Sequence, residues 1–265
     1  MLKQRIVTAV ALIALFLAAD FYLSTLAWGL LLLVPMALGA WEWAALAKFS
    51  KGGHAVFTAL VLGSCLALAA GGRAAGSDAA AIVVLAVAVA FWASVVPLWL
   101  HRAWSVRSPA SLAAVGWLVL VPGWYGMVVL HRDPGALLAL LAVVWIADSA
   151  AFFAGRRFGR HKLAPSISPG KTWEGVGGAF AAVLLYALIL ERVPLVAGLR
   201  GGLYALVLGM AILGILGDLF ESWMKRQAGV KDSGTLLPGH GGVLDRIDAL
   251  TAAVPLAALW TLLDR

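Results

Sequence analysis

Residues 201–248 read GGLYALVLGMAILGILGDLFESWMKRQAGVKDSGTLLPGHGGVLDRID. The first part is apolar over enough residues to cross a bilayer core, which needs about 20. The second part, Ser222 to Asp248, carries four basic side chains (Lys225, Arg226, Lys231, Arg246), three aspartates (Asp232, Asp245, Asp248), His240 and five glycines. This junction decides the fold class: an apolar helix leaves a membrane and runs into a charged, glycine-rich loop. In a chain that is 63% hydrophobic and 12% charged, such a concentration of mixed charge needs a cause. A membrane-surface loop that holds a metal ion and a phosphate-bearing ligand supplies one.

Outward from this stretch the apolar pattern repeats. Mean hydropathy is +0.96, beyond the range of a soluble domain. Apolar runs at roughly 6–23, 25–47, 54–71, 79–100, 110–130, 134–155, 174–190, 201–223 and 249–263 predict about nine transmembrane helices. The expected fold is all-α: a polytopic integral membrane protein with a cytoplasmic N-terminus. Residues 1–265 form one membrane domain, with scaffold helices over 1–130 and catalytic helices and loops over 131–265. Lys3 and Arg5 precede the first run, but Phe21-Tyr22 is a poor signal-cleavage context, so the run reads as a retained helix. Cys65, the one cysteine, lies inside a span and excludes an intrachain disulfide.

Charge sets the orientation. Threading nine spans from a cytoplasmic N-terminus leaves five of the 20 Lys and Arg on the far side: Arg73, Arg132, Arg192, Arg200 and Arg265. The other fifteen fall on the cytoplasmic side, as the positive-inside rule requires. The bias resides mainly in the loops after spans six and eight. The net charge of +7 then calls for anionic headgroups and no nucleic acid. Trp28, Trp104, Trp173 and Trp223 lie near span ends, as interfacial anchors do.

Several charges sit where a membrane penalises them. Asp148 follows the run PGALLALLAVVWIA. An aspartate near mid-helix costs about 2.5–3.5 kcal/mol on insertion scales. It reads as a functional acid or as an interhelical hydrogen bond. Asp218, Glu221, Ser222 and Lys225 are spaced i, i+3, i+4, i+7 and share one helix face. A Glu221–Lys225 ion pair accounts for two of them, while Asp218, after MAILGILG, fits a metal ligand better. Asp245 and Asp248 open the last span, either as first-turn acids favoured by the helix dipole or as ligands. A hard divalent cation takes one or two carboxylates plus phosphate oxygens, and Asp218 with Asp245 is the pair chosen here. Ser168-Pro-Gly-Lys171-Thr172 lacks the glycine of a P-loop, since Pro165 stands there. It can still bind phosphate through Lys171 and the N–H groups opening the next helix. Arg156, Arg157, Arg160 and Lys162 read most simply as positive-inside charges. His240 is either an acid-base or phosphate-donating group or a turn residue. Glu42, between Trp41 and Trp43, is a weak candidate only.

The charged stretch resembles the signature of phosphatidate cytidylyltransferases, also called CDP-diacylglycerol synthases. The matching residues are Ser222, Lys225, Arg226, Lys231, Asp232, Pro238, Gly239, His240, Gly241, Gly242, Asp245, Arg246 and Asp248. GDLFES (217–222), SPGKTWEG (168–175) and DSAAFFAGRRFGRHKLAP (148–165) resemble family segments too, so the likeness covers about the last 120 residues. Ser149-Ala150 and Ala249 depart from the family pattern and leave the charged groups intact. The resemblance implies transfer of a cytidylyl group from CTP to phosphatidate, giving CDP-diacylglycerol and pyrophosphate at the inner face of the cell membrane. It implies Mg²⁺ at Asp218 and Asp245, with room for a second cation. It implies catalytic roles for Asp148, Lys171, Asp218, Arg226, His240 and Asp245. Substrate contacts then fall to Ser168, Thr172, Glu221, Ser222, Lys225, Lys231, Asp232, Arg246 and Asp248. CTP, phosphatidate and membrane lipid are the expected partners, and a homodimer is allowed. Two other classes fit the composition: a CTP-dependent lipid-alcohol kinase, and a transporter coupled through Asp148 and Asp218.

Overall fold

The computed structural model describes residues 13–75, 78–193, 202–234 and 241–264, without the side chains of 73–75. The helices are α1 (Ile13–Tyr22), α2 (Thr25–Leu46), α3 (Lys51–Ala75), α4 (Ala79–Ala90), α5 (Val96–Arg102), α6 (Pro109–Leu130), α7 (Pro134–Phe158), α8 (Trp173–Leu190), α9 (Leu203–Ala228) and α10 (Leu244–Leu263). A π-helical turn, Phe91–Val95, joins α4 to α5 into one span, Ala79–Arg102. Among the described residues eight helices are long and apolar enough to cross a membrane. The ninth expected span is α1, whose predicted first half lies outside the described residues.

Local chemistry fixes the helix starts. Ser24 caps α2, Ser108 caps α6, Asp133 caps α7 and Thr172 caps α8, each accepting an N–H three residues on. Pro109 and Pro134 then occupy the first helical position, where no N–H is needed. Gly229, at φ 82°, closes α9 in the left-handed conformation that glycine adopts without penalty. Two helix ends differ from the sequence-based spans. α9 runs on to Ala228 and α10 starts at Leu244, so Asp218–Lys225 and Asp245–Asp248 are helical. Their polar stripes keep helical spacing, so the helices continue past the apolar boundary. The all-α expectation also misses one two-stranded antiparallel ribbon, β1 (Lys162–Ala164) and β2 (Ser168–Thr172), which pairs Lys162 with Thr172 and Ala164 with Ser168.

α7 packs on α8, α9 on α10, and α10 on α6. Close approach needs small residues. At Gly217 a Cβ would sit 2.5 Å from the Asp248 carbonyl oxygen, which brings α9 against α10 near the charged residues. Phe220, on the other face of α9, is buried among Trp43, Phe91, Trp92 and Trp99, with ring centroids 5.4–6.5 Å away. Leu219, Phe220 and Met224 therefore face packed helices and not lipid.

Contacts sort the helix ends into two sets. At one end the Trp104 carbonyl accepts from Trp99, Trp223 and Gln227, joining the turn after α5 to the end of α9. The same end holds the ribbon, the end of α2 and the start of α10. At the other end Arg132 forms a bidentate pair with Asp78, which holds its guanidinium above the ordinary range. There His131 also stacks on Trp28 and bonds the Asp20 carbonyl oxygen. Successive spans therefore run antiparallel.

Candidate active site

The ribbon end of the bundle holds a cleft of about 830 Å³, within the size range of small-molecule sites. α7 lines it with Asp148, Ala151, Phe152, Gly155 and Arg156, the near ones spaced i, i+3, i+4, i+7 on one face. The ribbon adds Lys162, Ser168, Lys171 and Thr172, α8 adds Gly175 and Val176, α9 adds Ile215 and Asp218, and α10 adds Asp245 and Asp248. Every lining residue comes from the part of the chain after Leu130. The wall is mixed: Phe152, Leu163, Val176 and Ile215 are apolar, and the charges cluster opposite one another.

Lys171 and Asp218 form the centre. The Lys171 Nζ lies 2.6 Å from Asp218 Oδ2, and both are partly exposed to the cleft. Ser222 donates to Asp218 Oδ1 at 3.3 Å, one helical turn away. Asp148 and Asp248 each lie within electrostatic reach of Asp218 and of Lys171. Lys171 thus sits among three carboxylates, and Arg156 and Lys162 add two further cations to the cleft wall. Thr172 lines the cleft but is buried, and its hydroxyl accepts from Gly175 N at 3.1 Å, so its main work is to cap α8.

Asp245 is bound from two sides. Its Oδ1 takes Lys225 Nζ at 2.5 Å, and its Oδ2 accepts from Ser233 N, Ser233 Oγ and Gly242 N at 3.0, 3.1 and 2.8 Å. Lys225 is buried and also donates to Glu221 Oε2 at 3.0 Å. The Glu221–Lys225 ion pair of the plainer reading is therefore present, and Lys225 extends it to Asp245.

The structure divides the expected site residues. Asp148, Ser168, Lys171, Thr172, Asp218, Asp245 and Asp248 line one cleft. Glu221, Ser222 and Lys225 stand behind it and hold its carboxylates. Arg226, Lys231, Asp232 and Arg246 are exposed and do not line the cleft; Arg226 donates to Val230 O, at the base of the loop. His240 lies outside the described residues. Of the four basic residues read as surface charges, Arg156 and Lys162 line the cleft. Glu174 does more than open α8: it accepts from the Arg160 and His161 N–H groups and pairs with His161 Nδ1 at 2.6 Å, which ties the ribbon's entry to α8.

Sequence reasoning undervalued Glu42. It is buried at the end of α2, where Oε1 accepts from Val243 N, and Oε2 from Leu244 N and Ser233 Oγ, all at 2.8–2.9 Å. Its position between two tryptophans gave no sign of partners roughly 200 residues away.

Among the described residues no three His, Cys, Asp or Glu side chains form a ready metal cage. For a hard divalent cation, Asp218 and Asp245 offer carboxylate oxygens at one cleft, each here paired with a lysine, Lys171 and Lys225, that the ion would have to displace. Such an ion is held by one or two carboxylates and completes its shell with water and phosphate, and Asp218 and Asp245 face the same cleft.

Comparison with known proteins shows the family. The model of the Cytidylyltransferase family matches residues 3–263. A phosphatidate cytidylyltransferase of Pseudomonas aeruginosa is 42% identical over 272 aligned residues, covering 98% of this chain and 97% of the relative. One from Haemophilus influenzae is 37% identical over 279, covering 96% of each. One from Brucella suis is 53% identical over 125, covering 47% of this chain and 46% of the relative. The likeness thus extends well beyond the last 120 residues, and the chain belongs to the cytidylyltransferase family.

Proposed function

We propose that this cleft transfers the cytidylyl group of CTP to phosphatidate, releasing pyrophosphate and leaving CDP-diacylglycerol in the membrane. The observation that carries the reading is the convergence of Lys171 with Asp148, Asp218, Asp245 and Asp248 at one end of a membrane bundle, in a chain similar over its length to phosphatidate cytidylyltransferases.

A phosphate oxygen of phosphatidate attacks the α-phosphorus of CTP. The bond from that phosphorus to the α,β-bridging oxygen breaks, and pyrophosphate leaves with the electron pair. The attacking oxygen is already anionic, so no strong general base is required. The protein's contribution is alignment and charge. Lys171, Arg156 and Lys162 line the cleft and neutralise phosphate oxygens, arginine by bidentate contact. The apolar wall of Phe152, Leu163, Val176 and Ile215 admits the lipid side of the substrate. Asp218 and Asp245 would hold Mg²⁺, with Asp148 and Asp248 at hand for a second cation; the bound ion supplies Lewis-acid stabilisation of the phosphates.

The ribbon end faces the cytoplasm of a cell membrane, by the charge bias. A cysteine at position 231 labelled only from outside the cell would reverse that orientation. Gathering of charge at one end disfavours a transporter, whose site sits at mid-membrane. Purified protein given phosphatidate and CTP decides the chemistry: label from the α-phosphate enters lipid, whereas a lipid kinase would deliver the γ-phosphate.

A further inference from the structure

Glu42 belongs to the half of the molecule that lines none of the cleft. We propose that it is a positioning residue for that cleft, aiming the Asp245 carboxylate by gripping the chain on both sides of the loop between α9 and α10. The inference rests on the cytidylyl-transfer reading for its activity arm, and stands on geometry for the rest.

Four observations support it. First, α10 has no side-chain cap of its own, so its opening N–H groups need an acceptor from elsewhere. Glu42 provides one, taking Val243 N on one oxygen and Leu244 N on the other. A carboxylate at a helix N-terminus is also favoured by the dipole. Second, the same carboxylate takes Ser233 Oγ, so residues on either side of the loop meet at one group. Third, the glycines beside it are set by its presence. A Cβ at Gly234 would lie 2.5 Å from Glu42 Oε1, and one at Gly242 would lie 2.5 Å from Oε2. Fourth, among the described residues the Asp245 partners other than Lys225 are Ser233 and Gly242. One of these is bonded by Glu42, and the other directly precedes Val243. Ser233 Oγ stands between the two carboxylates, 2.9 Å from Glu42 Oε2 and 3.1 Å from Asp245 Oδ2. Its single proton serves one of them at a time, and the Ser233 N–H then holds Asp245 whichever is served. Loss of Glu42 removes the acceptor that fixes Val243, Leu244 and the Ser233 hydroxyl, so the backbone carrying both of these anchors is freed to shift while Lys225 stays on Asp245.

Glu42→Gln separates anchoring from space-filling. Glutamine keeps the size, but it accepts on one atom only and turns an NH₂ toward backbone donors. A space-filling role predicts near-wild-type behaviour. Anchoring predicts a fall in kcat of at least about 10-fold, with KM for CTP within about two-fold, because the substrate cations Lys171, Arg156 and Lys162 are untouched. It also predicts faster amide hydrogen exchange at 243–244, with the Arg132 end unchanged, read on full-length protein in detergent without substrate. Gly234→Ala provides the same test with Glu42 present, since the atoms nearest its Cβ all belong to Glu42 and the carboxylate is pushed aside, and it carries the test should Glu42→Gln not fold. Wild-type kcat and wild-type exchange in either folded variant overturn the proposal. If wild-type protein transfers no α-label, the functional reading fails, while the exchange result still decides whether Glu42 anchors α10.

Discussion

The two halves of the molecule divide the work unequally. Helices α7–α10 and the ribbon provide every described lining residue of the cleft, whereas α1–α6 provide aromatic packing and two buried carboxylates, Asp20 and Glu42. In the second half, charge is tolerated because lysines and carboxylates meet around a solvent-filled space. In the first half, Phe91, Trp92 and Trp99 surround Phe220, and so fix the face of α9 opposite Asp218 and Glu221. Chemistry therefore requires only a few charged groups, but holding them requires most of the membrane bundle.

The sharpest way to break this division is at the carboxylates. Asp218→Asn and Asp245→Asn are each expected to lower turnover by about 10³-fold or more. The double variant should be no worse, because one lost ligand already removes the cation. A Mg²⁺ titration of purified variants checks this, and a near-wild-type rate in either would remove the metal from that residue. Next comes Lys171→Ala, expected to cost about 10–100-fold at limiting CTP, since its Nζ sits on Asp218 in the cleft. Arg226→Ala, outside the lining, should cost less than Lys171→Ala; the reverse order in parallel assays would move the phosphate site toward the loop base.

The aromatic packing that joins the two halves should respond in stability and not in rate. Phe220→Ala removes a side chain only 1% exposed, and such truncations cost about 3–5 kcal/mol. Thermal unfolding in detergent should shift downward, while kcat well below the transition stays within a few-fold. The smallest effect belongs to the far end. Asp78→Asn breaks an ion pair about one-third exposed, worth about 0–1 kcal/mol. Activity should remain within about two-fold, and a large loss would show that the two ends are coupled.

Much of this was legible in the sequence. Long apolar runs marked the spans, and the spacing of Asp218, Glu221, Ser222 and Lys225 placed them on one face before any coordinates. The Lys171–Asp218 pair was not legible, because it joins a ribbon to a helix with no shared local pattern. The ribbon itself is short, and Pro169 and Gly170 within it argue against a strand by propensity. Beside the charged loop the end of α9 was placed too early and the start of α10 too late, since apolar content falls there while helical hydrogen bonding continues. Glu42 stayed hidden because its value lies in donors that folding, not sequence, brings near.

The ribbon has a consequence for how lipid composition acts on the protein. Strand edges carry backbone groups that hydrocarbon cannot satisfy, so the ribbon is expected to ride in the headgroup layer wherever protein or cleft water does not cover those edges. Lys171 on that ribbon is paired with Asp218, and from Asp218 to the end of α9 at Ala228 the helix rises ~15 Å. The reacting group is thus hung at a set depth from a float that rides on the surface. A thicker or thinner bilayer strains that suspension through hydrophobic mismatch, so membrane thickness enters the kinetics as a length.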